Sequence, residues 1–275
     1  SALPLATSKN FLLLRYLKSY ICNSVVELRI DMTEKEIQYK ELVNRICDFT
    51  DEYGPKLRRH VASFQVSPIF DKDVDMLFLG FNPAEGGQEA NYKPEDRQLY
   101  KKRFFEGNPY PPETWAVGNG VSKRVPAHSK WNWIFNPCND ANLFQKEGLA
   151  EQVTSGNYMF FNLFFFGSPM SDDAGKLSDS PKDYSEALKK CTDFTIEIVD
   201  ILKPKCVLCL SIDNVFNKVK NATRSKVTKP LAGSNLSRFE HNGVVYYGMT
   251  HLQYPAMKKE YVQNIARFIK QDMKF

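Results

Sequence analysis

Four short stretches of the chain are apolar at nearly every position, rich in β-branched and aromatic residues, and bounded by turn formers: Asp75–Gly80, Tyr158–Phe165, Lys205–Ser211 and Val244–Met249. Runs of this length without polar alternation predict strands buried on both faces. Between them, apolar positions recur at three- and four-residue steps. The clearest predicted helix takes Ser180 as N-cap and Pro181 as its first residue, carries Leu188, Cys191, Phe194, Ile198 and Ile201, and stops at Lys203 before Pro204. Two more are predicted over Thr33–Tyr53, where Thr33 and Glu36 have capping-box spacing, and over Ala256–Met273, where Tyr261, Ile265 and Phe268 share a face. Buried strands alternating with helices predict an α/β fold, a three-layer α/β/α arrangement around a central, mainly parallel four-stranded sheet. In such sheets ligands bind in the crevice at the carboxyl ends of the strands.

Composition narrows the class. With 43% hydrophobic and 25% charged residues, 20 Phe and 13 Tyr in 275 positions, the chain can bury a full core and is not a disordered or collagenous sequence. The most membrane-like stretch, Phe11–Ile30, is interrupted by Arg15, Lys18, Asn23, Glu27 and Arg29, so no span is expected. No Met precedes Met32; residues 1–31 are read as an N-terminal extension and 32–275 as a single domain. Six scattered cysteines suggest no disulfide framework, and a reducing cytoplasm, or a nucleus in a eukaryote, is the expected location. Cys206 and Cys209 form the one close pair, but strand alternation sends them to opposite faces, so no metal or cluster is expected there.

Charge is unevenly placed. From Ile201 onward, thirteen Lys and Arg face only Asp213, Glu240, Glu260 and Asp272, a net +9 that leaves −4 for the rest of a chain whose total is +5. Between Asp213 and Glu240 there is no acid, while Lys218, Lys220, Arg224, Lys226, Lys229 and Arg238 lie among Asn, Ser and Thr. A solvated basic loop and a surface facing a polyanion both fit this pattern.

At the predicted strand ends stand the residues with chemical potential. The first strand runs into Gly80-Phe81-Asn82-Pro83-Ala84-Glu85-Gly86-Gly87, which fits either a bare turn or a close backbone wrap around a small ligand. Asn162 lies among Met159, Phe160, Phe161, Leu163, Phe164, Phe165 and Phe166. A carboxamide there must find partners, either core backbone groups or the edge of an imide or amide ligand. The fourth strand leads to His251-Leu252-Gln253-Tyr254-Pro255, and Lys258 and Lys259 follow in the first turn of the last helix, where a nearby polyanion would relieve their conflict with the helix dipole.

Taken in order, a strand into GFNPA, a central strand bearing Asn, a third strand after a long helix, and a fourth ending at His before a Pro-containing loop resemble the uracil-DNA glycosylase superfamily. The similarity covers roughly Met76 to Phe268 and is greatest to the single-strand-selective monofunctional branch, whose first motif reads G-M-N-P-G and whose last reads H-P-S-P. The resemblance implies that Asn82 positions the hydrolytic water, His251 supports the oxygen of the departing base, and Asn162 reads the Watson–Crick edge of uracil. It also implies a base pocket built from Gly80, Phe81, Pro83 and Ala84, with Tyr92, Phe81 or Phe166 as the stacking aromatic. Ala84 falls where the most uracil-strict branch carries a Tyr that blocks a 5-methyl group, which implies tolerance of 5-substituted uracils. Two departures stand out. His251-Leu252-Gln253-Tyr254-Pro255 lacks the His-Pro-Ser-Pro pattern of the loop that presses into the minor groove, and no aromatic follows Pro83 at the usual stacking distance.

The implied activity is hydrolysis of the N-glycosidic bond of uracil, or a modified uracil, flipped out of DNA, by a monomer needing no cofactor or metal. DNA would be held through Lys218, Lys220, Arg224, Lys226, Lys229, Arg238, Leu252, Lys258 and Lys259. The alternative is a nucleic-acid-binding module of the same fold without turnover, suggested by the altered final motif. A small-molecule hydrolase finds little support, since the sequence holds no G-x-S-x-G, G-x-x-x-x-G-K-[ST] or H-E-x-x-H motif.

Overall fold

The architecture follows from four strands too apolar to face water. In a computed structural model, residues 32–59, 61, 64, 66–82, 93, 97–107, 130–136, 142–167, 181–231 and 235–275 are described. In chain order they form α1 (Glu34–Leu57), β1 (Met76–Gly80), α2 (Arg97–Glu106), α3 (Asn132–Phe135), α4 (Leu143–Lys146), β2 (Tyr158–Asn162), α5 (Pro181–Leu202), β3 (Cys206–Cys209), α6 (Asn217–Thr223), β4 (Ser237–His241), β5 (Val244–Gly248) and α7 (Lys259–Met273). Every residue of β1, β2, β3 and β5 is buried. These four pair in parallel, and the sheet order is β2-β1-β3-β5-β4. Lys35–Phe275 cluster as one compact unit, and the expected extension over 1–31 lies outside the described residues.

Strand alternation divides the core into two layers, one on each side of the sheet. On one side Leu77, Leu79, Met159, Phe161, Val207, Cys209 and Tyr246 pack with Tyr39, Leu42 and Ile46 of α1 and with Ile198, Val199 and Leu202 of α5. On the other, Met76, Phe78, Tyr158, Phe160, Cys206, Leu208 and Tyr247 pack with Ile134 and Phe135 of α3, Phe144 of α4 and Val262, Ile265 and Ile269 of α7. Cys206 and Cys209 therefore lie on opposite faces, as alternation requires. Among the described residues no helix is long and apolar enough to cross a membrane.

The sheet has five strands where four were expected. β4 pairs antiparallel with β5 through a hairpin whose corner, Asn242-Gly243, has φ of 49° and 78°, the left-handed pair that a tight two-residue turn requires. The preceding acid-free run had suggested only a basic loop, but Phe239 and Ser237 of β4 are buried. Arg238 is correspondingly lost from the free charge. Its Nε donates to Asp272 Oδ2 at 2.8 Å, and a second nitrogen lies 3.9 Å from Glu240. The long helix α5 has the expected extent, with Lys203 at φ 47° and Pro204 just beyond it, while α1 continues one turn past the expected Tyr53, to Leu57.

Asp272, near the end of α7, also accepts the hydroxyl of the buried Tyr247 in β5, so one carboxylate joins the hairpin to the helix. Burial alone would raise its pKa, but the hydrogen bonds from Tyr247 and Arg238, with the guanidinium charge, hold it below the usual carboxylate range. Asp272→Ala should lower the unfolding free energy by about 1–3 kcal/mol, because a phenol and a guanidinium lose their acceptor. Urea denaturation measures this. A carboxyl depressed only in the folded chain stabilises fully above its unfolded pKa, about 3.9, and loses that effect as pH falls through the folded value. The gap between wild type and variant should therefore close in acid; a gap unchanged at low pH would assign the loss to packing instead.

Candidate functional site

Parallel pairing continues past the ends of the strands and fixes the loops that leave them. Leu163 N–H donates to Gly80 O at 2.9 Å, Phe164 N–H to Phe81 O at 2.7 Å, Leu210 N–H to Leu79 O at 2.9 Å and Met249 N–H to Cys209 O at 3.1 Å. Gly80 and Asn162 are register partners at this edge. A methyl group on Gly80 would overlap Asn162 Oδ1 and come within 3.3 Å of Phe160 Cε2. The missing side chain of Gly80 thus provides the space in which the carboxamide lies.

Asn162 is only 6% exposed, and among the described residues its side chain has no hydrogen-bond partner. A carboxamide in this position offers an acceptor and two donors in one plane, the complement of a ligand with an amide or imide edge.

His251 follows β5 on a turn closed by Tyr254 N–H donating to His251 O at 2.9 Å. Its Nδ1 accepts Gln253 N–H at 3.2 Å, which assigns the ring proton to Nε2 and leaves that donor available. The imidazole keeps an exposed edge, yet the surrounding protein desolvates it and pulls its pKa below the ordinary histidine value, favouring the neutral ring. Tyr261 OH in α7 accepts Thr250 N–H at 3.1 Å, so the residue just ahead of His251 is fastened to the helix. The Trp131 ring stands edge-on to the imidazole, with centroids 6.3 Å apart and planes at 84°, and its other neighbours are Phe160 at 6.0 Å and Phe135 at 5.8 Å. A continuous aromatic wall thereby runs from His251 to Phe160, beside Gly80 and Asn162.

The remaining expected residues fall out unevenly. Asn82, partly exposed, leaves β1 two residues after Gly80. Pro83, Ala84 and Tyr92 lie outside the described residues. Phe166 is wholly buried between Phe49 and Phe164, so a role in stacking on a ligand is corrected to a role in the core. Phe81 is buried as well, with its ring laid on Phe164 at 6.2 Å and 13°. Leu252 also requires correction. It is 0% exposed in the core layer beside α7, and an apolar side chain packed there presents nothing to a duplex. The loop's exposed ring is Tyr254, at 55%.

Lys258 caps the start of α7 without a side-chain cap of its own, and Lys259 is the first helical residue. A hollow of ≈ 210 Å³ opens beside them, lined by Asn235, Thr250, Tyr254, Met257, Lys258 and Tyr261. Arg224, Lys226 and Lys229 are exposed and Lys218 and Lys220 half-buried, whereas Arg238 is held by Asp272 and contributes no free charge. Sequence reasoning missed Trp131 altogether. Its signal was the pair of tryptophans in Lys130-Trp131-Asn132-Trp133, but nothing local ties that segment to a histidine 120 positions later.

Among the described residues no three His, Cys, Asp or Glu side chains converge as a metal site. Comparison of the sequence with protein-family models and with curated proteins finds no match in either. The site is therefore read from its geometry: a carboxamide in the space beside Gly80, a histidine ring on the loop after β5, and Lys258 and Lys259 where that loop enters α7.

The Gly80–Asn162 packing has a direct test. Gly80→Ala should displace the carboxamide with little effect on the sheet, since the clash falls on a side-chain oxygen. The melting temperature should change little, while the affinity that the folded wild type shows by calorimetry for uracil, used as a probe with an imide edge, should fall at least tenfold. Binding of uracil at wild-type strength by the folded variant would exclude Asn162 as the ligand-reading group.

Proposed function

We propose that this chain is a monofunctional DNA glycosylase of the uracil-DNA glycosylase type, acting on uracil or 5-substituted uracil flipped out of DNA. The observation that carries this reading is the carboxamide of Asn162, 6% exposed in the space left by Gly80 and without a hydrogen-bond partner among the described residues. One acceptor and two donors in a plane suit the imide edge of uracil, the oxygen accepting N3–H and the NH2 donating to a carbonyl of the base.

In the reaction the C1′–N1 bond breaks, the base departs as an anion with the bonding electron pair, and a water oxygen bonds to C1′ through an oxocarbenium-like sugar as in glycoside hydrolysis; the water's proton passes to solvent and the base anion takes up a proton from solvent after it has left. His251 Nε2–H donates to the oxygen on which the base's negative charge develops. One such donor contributes about 2.7–4 kcal/mol to the transition state. Asn82 orients the water, since a carboxamide is no general base. Extruding the nucleotide costs about a few kcal/mol, offset by phosphate contacts to Lys258, Lys259, Arg224, Lys226 and Lys229. With Leu252 in the core, the exposed Tyr254 takes the role of entering the stack in this reading.

The test uses oligonucleotides containing uracil, 5-hydroxymethyluracil or an abasic site. Wild-type protein should release free base. Asn162→Ala and Asn82→Ala should each lower release by about a hundredfold or more, the scale of losing one preorganised polar group, with abasic-site binding nearly unchanged. Binding without any release would favour a nucleic-acid-binding module, and equal loss of binding and release in Asn82→Ala would remove its water-positioning role.

The pH profile tests His251. Because burial lowers its pKa, the neutral ring predominates at pH ~6.5, where an ordinary histidine is half protonated. Activity should hold through that point and decline only at lower pH, when a proton on Nδ1 opposes Gln253 N–H and breaks the turn. A rate that rises as pH falls through 6.5 would instead assign an imidazolium to the mechanism.

A further inference from the structure

The segment just ahead of α3 touches the His251 loop at two separate points. Trp131 meets the imidazole edge-on, as described above. Its neighbour Lys130 donates through Nζ to Tyr254 O at 2.7 Å and to Pro255 O at 3.3 Å, with the same ammonium 6.0 Å from the centre of the Trp133 ring. Tyr254 O also accepts Met257 N–H at 3.0 Å, so Lys130 fastens the junction between two consecutive turns. The first of those turns supplies Gln253 N–H to His251 Nδ1.

Behind these contacts the segment is stiffened by buried amides. Asn136 Nδ2 donates to Asn132 Oδ1 at 3.0 Å. Asn142 Nδ2 donates to Ile134 O at 2.9 Å and Asn136 O at 3.0 Å, and Asn142 Oδ1 accepts Gln145 N–H at 2.9 Å. Satisfied polar networks of this kind hold one geometry. The two contacts to the loop therefore come from a rigid base.

We propose that Lys130 and Trp131 are positioning residues for His251, holding its ring in the orientation and tautomer that present Nε2–H to the strand-end site. Trp131 limits rotation of the ring about χ2, because an imidazole turning out of its plane would have to pass the indole that stands edge-on to it. Lys130 fixes the turn whose Gln253 N–H requires an unprotonated Nδ1. A histidine tautomer is set by the hydrogen bond at its other nitrogen, and anything that holds that bond holds the tautomer. Among the described residues, the charged and titratable groups of the loop, of its Lys130–Trp131 contact and of the first turn of α7, besides His251, are Lys130, Tyr254, Lys258, Lys259, Glu260 and Tyr261. Lys130 is committed to carbonyls and Tyr261 to Thr250 N–H, so neither competes for Nδ1. The catalytic consequence rests on the reading of His251 as donor to the departing base, whereas the tautomer itself does not.

The chain has four histidines, so ¹⁵N-labelled protein gives a tractable ring spectrum, with His251→Gln identifying the resonances of interest. At neutral pH the full-length wild type should show His251 as the Nε2–H tautomer. Trp131→Ala and Lys130→Met should each yield a mixture of tautomers, while Trp131→Phe, which keeps an aromatic edge, should restore the wild-type pattern. On uracil-containing single strands kcat should fall roughly tenfold or more, short of the 10²–10³ expected for losing the donor itself, with KM little changed. A single unaltered tautomer in folded Lys130→Met and Trp131→Ala, or in Lys130→Met alone if the tryptophan variant does not fold, would overturn the proposal. Should the wild type release no uracil, the glycosylase reading fails and the ring spectra still decide this one.

Discussion

Everything at the carboxyl edge depends on one steric relation, the absence of a side chain on Gly80 opposite Asn162. Parallel pairing places the two Cα atoms side by side, and each residue projects toward the same core layer. Two ordinary side chains would fill that space and close it. With one of them missing, a planar amide lies against the Gly80 backbone within an aromatic core. Among the described residues nothing else fills the space that the glycine leaves for the carboxamide.

The rest of the fold holds that relation still. All four parallel strands are buried on both faces, so a register slip would misplace two core layers at once. Gly248 plays a related part in β5, where an added methyl would meet the Phe216 ring at 2.5–2.8 Å. Phe216 closes a π-helical turn, Ile212–Phe216, that follows β3 and leads into α6. The turn can therefore lie down against β5 only because that strand, too, ends in glycine. His251 comes three residues later, its loop anchored by Leu252 and Met257 in the core and by Tyr261 and Lys130 through hydrogen bonds.

The four parallel strands and the long helices were legible in the sequence because each is written locally, in runs and periodicities. β4 was not, since Ser237-Arg238-Phe239-Glu240-His241 alternates polar and apolar within a run whose charge dominated its reading. Helix α2 was equally obscure. Of its ten residues only Tyr100 and Phe104 are buried, too few to mark a face. For Asn162 the sequence left two environments open, and only tertiary structure shows which groups lie within reach. Leu252 misled in the opposite direction, an apolar residue in a loop that turns inward. Trp131 depended on a contact across 120 residues, which no local pattern contains.

The separation of Cys206 from Cys209 carries a consequence for the chemistry of the molecule under oxidation. The two thiols are divided by the sheet, and with Cys191 they are fully buried, with burial pushing all three pKa values up. Peroxides and disulfides react with thiolates, and a thiol held protonated behind a closed aromatic core is nearly inert to them. A four-residue spacing that elsewhere makes a redox couple is here insulated by the strand that carries it. The sheet centre is consequently indifferent to the oxidation state of its surroundings.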